Sequence, residues 1–259
     1  MIERMESGEA KAAAPIVIGA TGGSGTRVVA RIARMRGLFI GENLNPAEDS
    51  LDVAEYYDRW INPYLLHRRD WVPDPEPEMR GELGALLERH RGPANGGPWG
   101  WKEPRSIYVI DFLARALPGM RFLHVVRDGR DVAFSKNQNQ PRKHGHAFLA
   151  WPPEHPEPDA PPHAIELWSA ANTQAAEVGE RELGERYRWI RYEDLCADSE
   201  QVVAEVLDFL GLDGDAVELA QLVEPPPTLG RWRELDPAVV QELERIAEPG
   251  LRRFGYLDG

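Results

Sequence analysis

The feature that most constrains this chain is a glycine-rich loop between a short apolar segment and an amphipathic helix. Residues 16–20 read IVIGA, a run typical of a strand buried on both faces, and TGGSGTR follows at once. From Thr26 to Arg36 apolar residues recur at helical spacing. Backbone N–H groups at such a strand–loop–helix junction, together with the helix dipole, form a cradle for phosphate-like oxygens. The loop therefore predicts a phosphate site, against the alternative of a tight glycine turn without function.

The loop sequence excludes two common nucleotide-binding motifs. A Walker A loop needs a lysine before its Ser or Thr, and the chain has no lysine between Lys11 and Lys102. The glycines Gly22, Gly23 and Gly25 do not fit the GxGxxG dinucleotide spacing either. We therefore expect a nucleotide phosphate that is bound without a metal.

Strand and helix patterns alternate along the rest of the chain. Further strands are predicted at Leu38–Ile40, Arg121–Val126 and Tyr187–Tyr192, and helices at Ile107–Leu117, after Asp128, and at Ala164–Leu183 and Ser199–Leu210. This alternation predicts an α/β fold of three layers, with a mostly parallel central sheet and helices on both faces. The proline-rich segments Trp71–Glu78 and Pro141–Pro162 are expected to run over the surface, the second as a lid or an inert loop.

Composition narrows the classes of partner. The chain has 30 Lys and Arg against 43 Asp and Glu, a formal net charge of −13, which argues against binding to nucleic acid or to an anionic membrane. Its one cysteine, Cys196, cannot form an internal disulfide, and no Cys/His cluster has zinc-ligand spacing. We expect a flexible polar leader over residues 1–14, one domain over residues 15–259, and a cytoplasmic location. The sequence does not indicate an oligomeric state.

Five motifs follow one another from the glycine loop towards the C-terminus. They are SGT at Ser24–Thr26, WGWKEPR containing Lys102, HVVRDGRDVAFS containing Arg127 and Ser135, IRYEDL containing Tyr192, and LGRWR containing Arg231 and Arg233. In this order, from about Pro15 onwards, the chain resembles the sulfotransferases that use 3′-phosphoadenosine 5′-phosphosulfate (PAPS). The resemblance implies a P-loop-like sulfotransferase architecture, transfer of a sulfuryl group to a hydroxyl, no metal, and adenosine 3′,5′-bisphosphate (PAP) as the product.

The resemblance also implies roles for the motif residues. Arg127 and Ser135 would hold the 3′-phosphate, and Arg231 or Arg233 would supply a last basic contact to it. Lys102 would act at the sulfuryl group. The remaining nucleotide contacts would come from Gly22, Gly23, Ser24, Gly25, Thr26, Arg27 and Tyr192. Neighbouring Arg130 and Asp131 are interpreted as a structural salt-bridge pair.

The chain departs from the family pattern at one position. The family usually has Lys or Arg just before SGT, and this chain has Gly23. Either Arg27, Lys102 or Arg105 replaces the missing charge, or transfer is slower or uses a different anion.

The acceptor hydroxyl must lose a proton, which requires a general base. Glu42 is the first candidate, because it follows the predicted second strand at the carboxyl edge of the sheet. A glutamate in a similar context is the base in the family branch that sulfates protein tyrosines. Glu103, directly after Lys102, is the second candidate. His124 lies inside a predicted strand and is interpreted as a core residue.

The acceptor remains open at this point. The segments 43–91 and 136–163 are expected to form its pocket, where aromatic side chains could stack on a sugar or an aromatic ring. These side chains are Tyr56, Tyr57, Trp60, Trp71 and Trp151. A small-molecule or carbohydrate acceptor fits, phenolic acceptors included. Two alternative functions are a nucleotide-binding protein of the same fold without strong turnover, and a metal-dependent P-loop-type kinase.

Overall fold

The centre of the molecule is a parallel sheet with helices on both faces. A computed structural model describes residues 14–69, 71–152 and 155–257, so all but the last residue of the expected leader lie outside the described part. The strands are β1 (Ile16–Ala20), β2 (Gly100–Lys102), β3 (Arg121–Val126) and β4 (Tyr187–Arg191), in the order β2-β1-β3-β4. Each neighbouring pair in that order is parallel. The predicted α/β architecture is confirmed.

The register of the sheet brings the four strand ends to one edge. Ile16 pairs with both Gly100 and Arg121, and Val126 pairs with Arg191. Because the strands run the same way, the segments that follow them open at the same edge, where open α/β folds bind ligands. Those segments are the glycine loop, the turn at Glu103, the start of the Arg127 segment, and Tyr192.

Eleven helices are assigned in the described part of the chain. They are α1 (Thr26–Met35), α2 (Leu51–His67), α3 (Glu76–Arg91), α4 (Ile110–Ala116), α5 (Gly129–Val132), α6 (Asn139–Leu149), α7 (Pro161–Val178), α8 (Tyr192–Ala197), α9 (Ser199–Leu210), α10 (Ala216–Ala220) and α11 (Pro237–Arg253). Short 3-10 turns lie at Gly92–Ala94, Pro104–Val109, Gly184–Arg186 and Arg231–Glu234, and a π-helical turn at Gly179–Leu183 extends α7. None of the described helices is both long and apolar enough to cross a membrane.

The apolar core lies on both faces of the sheet. Val17 and Phe122 belong to the cluster formed with α2, α3, α4, α7 and α11. Ile18 and Leu123, one residue further along each strand, belong to the cluster formed with α1, α9 and α10. Successive side chains of a strand point to opposite faces, so strands buried on both faces read as continuous apolar runs. Three layers result, as predicted.

The strand predicted at Leu38–Ile40 is wrong. Phe39 forms only an isolated parallel bridge with Trp99. Gly37 and Gly41, on either side, have φ of +88° and +120°. The three residues between these two left-handed positions are too few to extend a ladder.

The interpretation of Pro141–Pro162 as a surface loop is also wrong for its first half, which belongs to α6. Pro141 lies in the first turn of that helix, where a missing N–H breaks no intrahelical bond. His144 and Phe148 face the interior. The other six prolines of the segment follow residue 151. A proline in the first turn is therefore compatible with α6.

Smaller differences concern helix boundaries. The segment predicted as one helix from Ile107 to Leu117 is a 3-10 turn followed by α4. The end of Trp71–Glu78 enters α3, with Pro77 in its first turn, where proline is tolerated. The helix Ser199–Leu210 is as predicted, and Gly211 ends it with φ +68°.

Candidate active site at the carboxyl edge of the sheet

The glycine loop, residues 21–25, joins β1 to α1 through two residues with left-handed backbone. Gly23 has φ +86°, and Gly25, the N-cap of α1, has φ +83°. A Cβ at Gly25 would lie 2.3 Å from Cε2 of Tyr192, so both conformation and space require glycine there. Gly25 has no side chain to cap α1, and the first N–H groups of a helix lack intrahelical partners. These groups are therefore available to an anion.

Arg127 and Ser135, on either side of α5, lie against this loop. Arg127 Nη1 donates to the carbonyl oxygen of Gly23 across 3.4 Å. A Cβ at Gly23 would lie 3.0 Å from Ser135 Oγ. The structure thus brings together the two predicted phosphate-binding segments, although Gly23 and Arg127 are 104 residues apart in the sequence.

Asp131 ties Arg127 to the closing loop, which we define as residues 226–234. One carboxylate oxygen of Asp131 accepts from Arg127 Nη2 (3.1 Å) and from the Gly230 amide (2.6 Å). The other accepts from the Trp232 amide (3.2 Å). Arg231 Nη2 donates to the Asp131 carbonyl oxygen across 2.6 Å. Asp131 is therefore more than the helical salt-bridge partner expected from the sequence, because it joins the Arg127 segment to the closing loop.

Two guanidinium N–H groups in this region have no hydrogen-bond partner among the described residues. Arg127 Nη2 donates to the Thr228 carbonyl oxygen across 2.6 Å. Arg127 Nε and Arg231 Nε are buried and have no hydrogen-bond partner among the described residues. A buried, unpaired donor is costly unless a ligand accepts from it. Two such donors, on arginines that both bind Asp131, fit an anion with several oxygens, such as a phosphate.

Arg231 and Arg233 occupy different positions, although the sequence left the choice between them open. Arg231 lies beside Asp131, and burial, together with the charge of Arg127, lowers the pKa of its guanidinium. Arg233 is exposed, and its guanidinium lies 4.8 Å from the ring centroid of Trp232. Of the two, Arg231 therefore belongs to the group around Arg127.

Tyr192 begins α8 and packs against the other side of the glycine loop. The Arg127 guanidinium lies 5.7 Å from the centroid of its ring. Burial raises the pKa of the Tyr192 hydroxyl to about 12. A cavity of about 560 Å³ beside this ring is also lined by Gly25, Arg27 and residues of the segment 221–226.

A second cavity, of about 430 Å³, opens on the opposite side of the glycine loop, and we call it the cleft. Gly22, Gly23, Gly25, Thr26 and Arg27 line it at one end. Lys102 and Asp49 also line it, and beyond them come residues of α2 and α6. Gly25 and Arg27 are shared with the cavity beside Tyr192. The two spaces adjoin at the loop.

Lys102 ends β2 and has only 2% of its surface exposed. Its ammonium group contacts the carboxylate of Asp49 and donates to the Ala47 carbonyl oxygen across 2.9 Å. These partners hold the charge on the wall of the cleft that the glycine loop also lines. The predicted strand-end lysine and the loop therefore share one space.

Glu103 and Arg105 form a buried pair in the turn after β2. The Glu103 carboxylate accepts from the Arg105 amide (2.7 Å) and from Arg105 Nε (2.8 Å). Burial raises the pKa of Glu103. Arg105 also pairs with Asp58 and donates to the Ala54 carbonyl oxygen across 2.9 Å. Both carboxylate oxygens of Glu103 are thus committed to Arg105.

Glu42 does not meet Lys102. It is exposed and lines a separate cavity of about 540 Å³. The helix α2 lies between the two spaces, since Ala54 and Asp58 on one stripe line the cleft, whereas Asp52, Glu55 and Arg59 on another stripe line the Glu42 cavity. The sequence placed Glu42 at the correct edge but could not show which side of α2 it occupies.

The aromatic residues proposed for acceptor stacking lie elsewhere. Tyr57 and Trp60 are buried in the core beneath α2, and Tyr56 donates its hydroxyl to the Met79 carbonyl oxygen. Trp151 stacks with His155, with 4.6 Å between ring centroids. Trp71 is 56% exposed, and none of the five lines the cleft.

His124 is the core residue that the sequence indicated. Its ring nitrogens hydrogen-bond with the Tyr187 hydroxyl and the Asn172 side-chain oxygen, each across 2.8 Å. Burial lowers its pKa to about 4. The described residues contain no cluster of three or more His, Cys, Asp or Glu side chains that could hold a metal ion.

Sequence reasoning missed Asp49 and the wall formed by Asp58 and Lys143. Asp49 directly precedes Ser50, the N-cap of α2, and the pair DS before an apolar run was the only local signal of that helix start. Its contact with Lys102 spans 53 residues. Pairing across such a distance leaves no local pattern.

The overall likeness of the chain to known proteins agrees with this geometry. Among solved structures, the chain is similar to the sulfotransferase domain of a Synechococcus olefin synthase, at 18% identity over 99% of this chain and 100% of that one, with a TM-score of 0.54. A sulfotransferase from Alicyclobacillus acidocaldarius has 17% identity, coverage of 94% and 95%, and a TM-score of 0.57. A mouse sulfotransferase complexed with PAP has 12% identity, coverage of 94% and 86%, and a TM-score of 0.52. At these identities the likeness is one of fold.

Sequence profiles identify the family. No curated protein sequence matches the chain at a significant level. The profile described as "Sulfotransferase family" matches residues 26–216, which include four of the five motifs wholly or in part. The chain therefore belongs to the sulfotransferase family and has its α/β fold, and sulfuryl transfer is its general chemistry.

Proposed function

We propose that the chain transfers a sulfuryl group from PAPS to a hydroxyl of a small-molecule or carbohydrate acceptor. The observation that carries this proposal is the meeting of the glycine loop with the Arg127–Ser135 segment, where Arg127 Nη1 lies 3.4 Å from the Gly23 carbonyl oxygen. This contact brings the glycine loop and the Arg127 guanidinium together, as binding of both phosphates of one adenosine would require. A protein of the same fold, the mouse sulfotransferase, is complexed with PAP.

The residues on the Arg127 side fit the 3′-phosphate. Arg127 Nε and Arg231 Nε are buried donors without partners among the described residues, and the Ser135 hydroxyl lies nearby at Gly23. Asp131 keeps both arginines in place, through Arg127 Nη2 and Arg231 Nη2. The cavity between Tyr192 and segment 221–226 would receive the adenosine.

The residues on the cleft side fit the 5′-phosphosulfate. The three glycines of the loop, Thr26 and the exposed Arg27 line this space together with Lys102. Gly23 has φ +86°, a backbone conformation that disfavours Lys or Arg at that position. Lys102 and Arg27 would therefore replace the missing charge. Arg105 would not, because it pairs with two carboxylates, Glu103 and Asp58, whereas Lys102 pairs with one, Asp49.

Catalysis would rest on positioning and charge stabilisation. PAPS, when bound, supplies an electron-poor sulfuryl group and a phosphate leaving group. Preset donors aimed at a developing negative charge can each lower a barrier by roughly 3 kcal/mol. The Lys102 ammonium and the loop amides are such donors, because both line the same cleft.

Asp49 has the best position for the general base. Its carboxylate contacts Lys102, lines the cleft and is 20% exposed, so an acceptor hydroxyl can reach it. Its two oxygens contact the Lys102 ammonium and accept from Asn45 Nδ2 across 2.8 Å, which holds the carboxylate in place. Glu103 lines the same cleft, but only 6% of its side chain is exposed and both its oxygens bind Arg105. Glu42 faces the other cavity.

Transfer of radiolabelled sulfate from PAPS to a mixed panel of hydroxyl acceptors, with a metal chelator present, tests this proposal. We expect labelled product with the chelator and no phosphate transfer from ATP with magnesium. Transfer from ATP that depends on magnesium would support the kinase alternative. Stabilisation by PAP without labelling of any acceptor would support the binding-only alternative.

A further inference from the structure

The far end of the cleft, beyond Lys102 as seen from the glycine loop, has a polar lining. Its side chains come from the 45–58 segment, the turn after β2, and α6. They are Asn45, Asp49, Asp58, Arg105, Asn139, Gln140 and Lys143. Resting on the proposed function, we propose that the acceptor is a neutral polyhydroxylated molecule of the sugar or polyol class, and not an apolar phenol or steroid.

The polar wall is a fixed part of the structure. Asn62 Nδ2, from α2, donates to the Lys143 carbonyl oxygen across 2.8 Å. His144 Nδ1, from α6, hydrogen-bonds the Asn62 side-chain oxygen across 2.7 Å. These contacts hold α6 against α2, so the side chains facing the cleft keep their relative positions. Such a wall is preorganised for its ligand.

The charges on this wall neutralise one another, and some of their hydrogen-bonding atoms remain free for a ligand. Asp58 Oδ1 accepts from Lys143 Nζ across 2.7 Å and also from Arg105 Nη1. The side chains of Asp58 and Lys143 are each about half exposed, at 50% and 49%. Their free oxygen and N–H groups, beside the amides of Asn139 and Gln140, offer both acceptors and donors. A neutral ligand with several hydroxyls matches this mixture, because each hydroxyl donates and accepts.

An apolar ring would meet few hydrocarbon side chains. Ala47, Ala54 and Pro104 are the only hydrocarbon side chains that line the cleft within the described residues, apart from the methyl group of Thr26. The nearest aromatic ring in α6's neighbourhood, Tyr108, is fully buried and donates its hydroxyl to Gln140 Oε1 across 3.0 Å. A phenol or steroid would therefore cover charged and amide groups without replacing their water contacts, which is unfavourable.

Two acceptors that differ only in polarity test the proposal. Methyl glucoside and cyclohexylmethanol share a six-membered ring and a primary hydroxyl, but only the glucoside carries further hydroxyls. A third acceptor, 4-methylphenol, represents the phenols. With radiolabelled PAPS we expect kcat/KM at least tenfold higher for the glucoside than for either apolar acceptor. An equal or higher value for cyclohexylmethanol or 4-methylphenol, or no labelling of the glucoside, would overturn the proposal.

Two variants test whether this wall determines the preference for the glucoside. Lys143→Leu should reduce the preference for the glucoside several-fold, through KM more than kcat. Glu55→Ala, on the stripe of α2 that lines the other cavity, should leave the preference unchanged. If only Glu55→Ala alters it, the acceptor binds in the other cavity and the proposal fails. Thermal stabilisation by PAP, measured for every variant, separates this failure from that of the proposed function, which would lose the PAP response as well.

Discussion

The proposed site has two ends, one for the nucleotide and one for the acceptor, and they are built in different ways. At the nucleotide end, loops leave the carboxyl ends of β1 and β3, and their contacts run largely through backbone atoms, as when Arg127 donates to the Gly23 carbonyl oxygen. At the acceptor end, helices α2 and α6 form the wall, and its contacts run between side chains such as Asp58 and Lys143. Backbone contacts constrain sequence through glycine and loop geometry. Side-chain contacts on helices can be exchanged while the sheet stays intact.

Lys102 lies where the two ends meet, and its replacement has the largest expected effect. Lys102→Met should lower the single-turnover rate of transfer by about 10²–10³-fold, because it removes a preset positive charge from the cleft. PAP affinity should change far less, since the Arg127 group is untouched. Arg181→Ala, at an exposed ion pair with Glu182, is the control and should behave as wild type. An unchanged rate in Lys102→Met would remove Lys102 from the reacting centre.

Replacement of the proposed general base has the next largest expected effect. It shows on which side of α2 the acceptor hydroxyl loses its proton. Asp49→Asn should lower kcat by about 10²-fold, since an amide cannot accept the acceptor's proton. Glu42→Gln, the matched change in the other cavity, should leave kcat nearly unchanged. Loss of turnover in Glu42→Gln alone would return the base to Glu42 and contradict the geometry described for the cleft. PAP binding, measured alongside, shows that each variant is folded.

Acid should weaken the scaffold beneath the nucleotide end. Burial lowers the pKa of His124, in β3, to about 4 from an ordinary 6.5. Between these values the unfolded chain binds the proton more readily, so this stability is complete above pH 6.5 and is lost as the pH falls towards 4. At pH 5 the loss from His124 is about 2 kcal/mol.

Urea unfolding at pH 7 and pH 5 checks this effect. His144, in α6, adds a loss of the same sign, because burial lowers its pKa to about 3. His124→Gln should therefore reduce, but not abolish, the difference in unfolding free energy between the two pH values. A difference equal to that of wild type would show that His124 does not titrate as described.

The smallest expected effect concerns Asp131, which connects Arg127 with the closing loop. Asp131→Asn keeps the shape but removes the charge that accepts from Arg127 Nη2 and the Gly230 amide. We expect PAP to bind about tenfold more weakly, equivalent to about 1.4 kcal/mol. Asp236→Asn, at the N-cap of α11, is a matched control, because asparagine also caps helices well. Calorimetric titration with PAP measures this difference. Equal affinities of Asp131→Asn and wild type for PAP would contradict the role of Asp131.

The same contrast between the two ends explains what could be predicted from the sequence. The strand, the glycine loop and α1 are contiguous, so their pattern predicts both the element and the anion site. Arg127 and Ser135 also flank a single short helix. Asp49 and Lys102 come from distant segments, and their contact depends on how α2 packs on the sheet. Which side of α2 Glu42 occupies could not be predicted for the same reason. The strand predicted at Leu38–Ile40 is wrong because two positive-φ glycines enclose it.

The central claim is that the glycine loop and Arg127 hold two phosphates of one adenosine, and a comparison of two ligands tests it most directly. Thermal unfolding of wild type and Arg127→Ala should be measured with PAP and with adenosine 5′-phosphate, which lacks the 3′-phosphate. A ligand at 100 times its Kd adds about 2.7 kcal/mol to stability. We expect wild type to be stabilised far more by PAP than by adenosine 5′-phosphate, and Arg127→Ala to respond to the two almost equally. If Arg127→Ala still preferred PAP as strongly as wild type does, the 3′-phosphate would bind elsewhere and the claim would be wrong.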